Sequence, residues 1–124
     1  MQQELTDKVI SCATKVYSEL GNGFPDSVYR KALEIEMDLA GLEFEDAGSI
    51  KIFHRNVFVG FHRIDFLVDQ KLLLEIYTRS SLDTLELPRD LDVTTNEINT
   101  CLLINFGAVK LEYKTVFYNV FHRN

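Results

Sequence analysis

The sequence predicts an α/β (α+β) fold: two N-terminal helices leading into a central mixed sheet of about five strands flanked by helices. Three observations carry the expectation. Apolar residues recur at spacings of three and four up to Gly41, the period falls to two from about residue 49, and "CLLINF" at 101–106 is apolar almost throughout. At 124 residues the chain is expected to form one domain over residues 1–124, long enough to bury a core without staples.

Leu5, Val9, Ala13, Val16 and Leu20 form one stripe of an amphipathic helix that stops at "GNG", residues 21–23. Pro25 suits a first helical turn, and Val28, Ala32, Ile35 and Leu39 repeat the stripe until Gly41. "SIKIFH" and "VFVGFHRIDFLV" then flank Arg55-Asn56, where asparagine fits a hairpin turn, and "KLLLEIYT" follows a second tight turn. "CLLINF" reads as a strand covered on both faces, and Gly107-Ala108 turns it into the alternating "VKLEYKT". Between 80 and 99, Leu87, Leu91 and Ile98 predict a helix from near Pro88, short or irregular because Val93, Thr94 and Thr95 are poor helix formers.

Composition excludes several classes. A formal charge of −6 removes the global attraction for nucleic acid, so any such binding must be local or metal-mediated. Cys12 and Cys101 read as buried small hydrophobes in a reducing compartment. No apolar run reaches the ~18 residues a membrane span needs, so a cytoplasmic protein is expected. His54, His62 and His122 show no metal-ligand spacing, and no phosphate-cradling glycine loop or Ser/Cys nucleophile motif is present.

The informative stretch is "RIDFLVDQKLLLEIYTR", 63–79. A three-residue turn at Asp69, Gln70 and Lys71 pairs Val68 with Leu72, and counting outward sets Asp65 opposite Glu75 with Cβ atoms ~5 Å apart. Two carboxylates that close need a cation between them, and Mg²⁺ or Mn²⁺ with the Ile76 carbonyl and water completes an oxygen shell. A shift of one residue would send the acids to opposite faces. The bland alternative makes them wet-face residues paired with Arg63 or Arg79, but the apolar flanks "IDFLV" and "LLLEI" speak against exposure. Asp26 has a bland reading as well, a first-turn acid that favours the helix dipole and pairs with Arg30 at i, i+4.

"ELGNGFPDSVYRKALEIEMDLAGL" followed by "RIDFLV", "LLLEIY" and "LLINFG" resembles the small GxxExxY proteins, a branch of the PD-(D/E)XK nuclease superfamily. The resemblance implies a restriction-endonuclease-like core with an Mg²⁺- or Mn²⁺-dependent phosphodiesterase site on the hairpin. It places the motif glycine on Gly23, the tyrosine on Tyr29 and the helix glutamate on Asp26. The metal-binding acids fall on Asp65 and Glu75, the preceding arginine on Arg63, the catalytic lysine on Tyr77, and an expected glutamine near Pro88.

A phenol carries no positive charge, so Tyr77 cannot neutralise charge developing on a phosphate. Losing such a group costs on the order of 10²–10³ in rate. Arg79 can stabilise charge but is a poor base. The expectation is a degenerate nuclease-like protein with weak or no phosphodiesterase activity, acting as a binding or protein-interaction module. The alternative is an active Mg²⁺- or Mn²⁺-dependent nuclease using Arg79. A homodimer or protein partner is expected to cover Phe117, Tyr118 and Phe121. Nucleic acid is disfavoured by the net charge, and no membrane is expected.

Overall fold

In the computed structural model of the chain, the described residues are 2–84, 92–94, 98, 100–117 and 119–120. Helix α1 (Gln2–Leu20) buries Leu5, Val9, Ala13 and Val16, as its stripe predicts. Helix α2 (Asp26–Leu39) departs from expectation: it buries Tyr29, Leu33 and Met37, while Ile35 and Leu39 are exposed. The helix is turned to seat Tyr29. Its ring stacks on Phe106 at 4.6 Å, and its hydroxyl donates to the Gly21 carbonyl at 2.6 Å and accepts from the Phe24 amide at 3.3 Å. A fully buried aromatic with satisfied polar atoms contributes more than an aliphatic at the next position.

The strands are β1 (Phe44–His54), β2 (Val57–Val68), β3 (Leu72–Tyr77), β4 (Asp92–Thr94), β5 (Thr100–Asn105), β6 (Glu112–Phe117) and β7 (Asn119–Val120). They form one mixed sheet in the order β6-β5-β3-β2-β1-β4-β7, with β3 and β5 parallel. Arg55 and Asn56 take φ of 50° and 66°, the left-handed pair of a type I′ hairpin turn. Asp69 and Gln70 do likewise at 50° and 57°, and Val68 pairs with Leu72 as the turn count predicts. β5 is buried from Cys101 to Asn105, the two-faced strand its sequence describes.

Between 80 and 99 the structure differs from the expected helix. Leu82–Thr84 is a single 3₁₀ turn, and Asp92–Thr94 is a strand on β1, in keeping with the β-branched Val93 and Thr94. Leu87, Pro88 and Leu91 lie outside the described residues.

Two apolar layers sandwich the sheet. α1 and α2 cover one, with Phe66, Val68, Leu72, Leu74, Ile76, Leu102 and Ile104. The other holds Ile64, Leu67, Leu73, Cys101 and Leu103. β6 and β7 are separated by one residue yet stand at opposite ends of the strand order. Phe117 and Asn119 can be at most ~7.6 Å apart, so the two ends of the strand order come together.

β1 and β2 are 11 and 12 residues long, whereas β3 pairs with only Phe66, Leu67 and Val68 of β2. At ~3.3 Å per residue, the outer part of this hairpin projects well past the end of its contact with β3. No helix of the described residues is long and apolar enough to cross a membrane.

Candidate active site

The predicted register holds through Phe66↔Leu74, and there the β2–β3 ladder stops. On β3, Leu74 and Ile76 enter the helix-covered layer, while Leu73 and Tyr77 enter the other. On β2, Ile64 and Leu67 both line that second layer, so the alternation slips by one between them. The slip frees Asp65 from the ladder and turns its carboxylate toward α2.

Asp65 sits in a fixed set of donors. The Ile76 amide donates to Oδ2 at 2.8 Å, replacing the strand hydrogen bond that β2 no longer provides. Arg30 Nη1 donates to Oδ1 at 2.8 Å and Nη2 to the Asp65 carbonyl at 3.1 Å. Arg30 also lies 3.3 Å from Asp46 Oδ2 and 4.3 Å from the centroid of the Phe66 ring. Such charge-assisted, two-point contacts are the strong class of hydrogen bond. The i, i+4 pairing of Arg30 with Asp26 expected from sequence is therefore superseded. Asp26 instead accepts from the Thr78 hydroxyl, tying the first turn of α2 to the end of β3.

Glu75 stands apart from Asp65, on the other side of the sheet and only 3 % exposed. Its Oε1 accepts from the Tyr77 hydroxyl at 2.6 Å and lies 3.1 Å from His62 Nε2, while Oε2 accepts from Cys101 Sγ at 3.1 Å. The hydrogen bond to Glu75 raises the His62 pKa against the opposing effect of burial. Burial, reinforced by the Glu75 charge, pushes the Tyr77 phenol well above its ordinary range. The His62 ring and the Glu75 carboxyl are therefore coupled, each favouring the charged form of the pair.

The expected face-to-face pair is thus corrected: Asp65 and Glu75 occupy two separate donor sets. Ile76 meets Asp65 through its amide, not through the carbonyl expected to ligate metal. Among the described residues, no group of three His, Cys, Asp or Glu is arranged to hold a metal ion. The Mg²⁺ or Mn²⁺ that the resemblance implies does not fit these side chains as placed, since both oxygens of each acid already have protein partners.

Arg79 lies past the end of β3 and is exposed. Its backbone is held by Asn105, whose Oδ1 accepts from the Arg79 amide at 2.9 Å and whose Nδ2 donates to the Arg79 carbonyl at 3.0 Å. Gly107 permits this approach, because a Cβ there would overlap the backbone of Thr78 and Arg79.

Sequence reasoning missed Arg30, His62 and Cys101 as site residues. For the last two a signal exists: an acid inside "LLLEI" needs neutralising partners, and the strands flanking it supply one histidine and one thiol. Arg30 has no local signal, since its partner is 35 residues away.

Searches of curated proteins and of solved structures returned no match. The PD-(D/E)XK nuclease superfamily profile matches residues 3–116, nearly the whole length over which the helices, hairpin and β5 were described above. On that match the chain belongs to the PD-(D/E)XK nuclease superfamily.

Proposed function

We propose that this protein keeps the superfamily fold with weak or absent phosphodiesterase activity and works as a binding or protein-interaction module of the GxxExxY type. The observation that supports this reading is the engagement of Asp65 by Arg30 and the Ile76 amide, while Glu75 is enclosed with Tyr77, His62 and Cys101. A guanidinium on one acid and an imidazole on the other provide the charge balance that metal and lysine provide in a nuclease. Binding Mg²⁺ between them would require breaking both sets.

The test is cleavage of plasmid and single-stranded substrates with Mg²⁺ and with Mn²⁺, comparing the native chain with Asp65→Ala purified identically. The expected result is equal signals, or none, with no saturable calorimetric heat for Mn²⁺. Cleavage that disappears in Asp65→Ala would overturn the reading. It would favour the second one, an active nuclease, for which Arg79 is the relevant cation: it is exposed and follows Thr78, which holds Asp26. A homodimer or other protein partner belongs to the same proposal, since Phe117 is 61 % exposed on the outer strand β6. Tyr118 and Phe121, expected to share that cover, lie outside the described residues. Light scattering reads the oligomeric state directly.

A further inference from the structure

The projecting part of the β1–β2 hairpin has a composition unlike the rest of the chain. From Ala47 to Ile64 it carries Lys51, Arg55 and Arg63 and no acid, a formal +3 in a chain of −6, so the remainder carries −9. Two of the three histidines, His54 and His62, also lie here. The same stretch exposes Val57 (61 %), Phe58 (45 %), Val59 (58 %) and Phe61 (63 %).

The cations and rings are interleaved. Lys51 is the cross-strand partner of Phe61, and Ser49 of Arg63, so Lys51 and Phe61 are side-by-side neighbours. Arg63 follows Phe61 by two residues, about 6.7 Å along the strand. Phe58 packs edge-on against Phe61 at 5.1 Å and against the buried Phe53 at 6.2 Å, fixing the rings without covering them. Lys51, Arg55 and Arg63 are exposed. Among the described residues Lys51 and Arg55 make no ion pair, and Arg63 reaches Asp65 only at 3.9 Å. β4 brings the backbone of Asp92 beside Phe53, on the other side of β1 from β2.

We infer that this arm is a docking surface for single-stranded nucleic acid, separate from the acid clusters and independent of metal. The inference rests on the binding reading above and names the partner. Three cations give too little attraction to hold a duplex by its phosphates alone. Open rings between cations add base stacking, which only unpaired bases supply and which needs no particular sequence. The excess acid elsewhere confines a polyanion to the arm.

The experiment is fluorescence anisotropy of labelled oligothymidylate and oligouridylate with the full chain in EDTA, from about 50 mM salt upward. Saturable binding is expected, with a log–log salt slope near −2 for three phosphate contacts on a single strand. Phe58→Ala with Phe61→Ala should weaken binding about tenfold or more, and Lys51→Glu with Arg55→Glu should weaken it and flatten the slope. Circular dichroism confirms that the variants fold; a single Phe61→Ser on the exposed ring serves if the double variant does not.

Absence of binding at low salt, or binding that these variants leave unchanged, overturns the inference. So does a change of sedimenting mass in the phenylalanine variants without binding, which would assign the patch to a protein contact. Because EDTA removes metal, cleavage in the separate assay would sink the proposed function and leave this result standing.

Discussion

Replacing Arg30 by methionine isolates the interaction that most distinguishes this site. The methionine keeps much of the apolar stem over Phe66 and deletes the guanidinium. Lost are the bonds to Asp65 Oδ1 at 2.8 Å and to its carbonyl at 3.1 Å, and the contact to Asp46 at 3.3 Å. The Arg30 and Asp65 side chains are 21 % and 19 % exposed, so the pair is neither surface-screened nor fully desolvated. Exposed pairs contribute about 0–1 kcal/mol, and breaking a buried one costs about 3–5. The intermediate burial, with the Ile76 amide still serving Asp65, gives an expected loss of about 2–4 kcal/mol. In urea the midpoint should fall with m unchanged, and Tm should drop by roughly 8–16 °C. A double-mutant cycle with Asp65→Asn should return a coupling of at least ~1 kcal/mol. A loss below ~1 kcal/mol, or strict additivity, would mean that solvent already screens the pair and that Arg30 does not balance Asp65.

Three further outcomes follow from the second acid and from the end of β5. His62 has a raised pKa, so its contribution to stability is fully present below the ordinary value near ~6.5 and is lost as pH rises through the folded value. Unfolding free energy measured by urea between about pH 5.5 and 8.5 should decline with pH, and His62→Gln should remove most of that decline. Tyr77 should stay protonated past the ordinary ~10 in an alkaline absorbance titration, and Tyr77→Phe should remove that late step. Gly107→Ala forces a methyl into the backbone of Thr78 and Arg79, and should cost about 1–3 kcal/mol in thermal or chemical unfolding.

Much of the fold was legible because its signals are local. The turn at Asp69–Lys71 fixes its own loop length, which in turn fixes the Val68↔Leu72 register, and "CLLINF" has no polar face to misread. α2 was misread because it carries two overlapping stripes. Val28, Ala32, Ile35 and Leu39 look more aliphatic than Tyr29, Leu33 and Met37, but a long-range stack on Phe106 decides between them. The acid pair was legible as a pair of unusual positions and not as a geometry. The alternation slips between Ile64 and Leu67, and nothing in "RIDFLV" announces it. The α2 arginine and the Cys101 thiol act across 35 and 26 residues, distances at which periodicity carries no information.

The partners of Asp65 and those of Glu75 have one physical explanation in common. A carboxylate set into an apolar strand must be balanced, and a nuclease balances both acids with one metal and a lysine that serve the phosphate at the same time. Here each acid is balanced from within the protein: Asp65 by a guanidinium from α2, Glu75 by an imidazole from β2 with a phenol and a thiol completing its hydrogen bonds. His62 already faces Glu75, and the neutral Tyr77 hydroxyl donates to the same oxygen without adding a charge. The slip in β2 that turns Asp65 away from Glu75 makes the two balances separable. Asp65 and Glu75 are therefore two sites, each with its own set of protein partners.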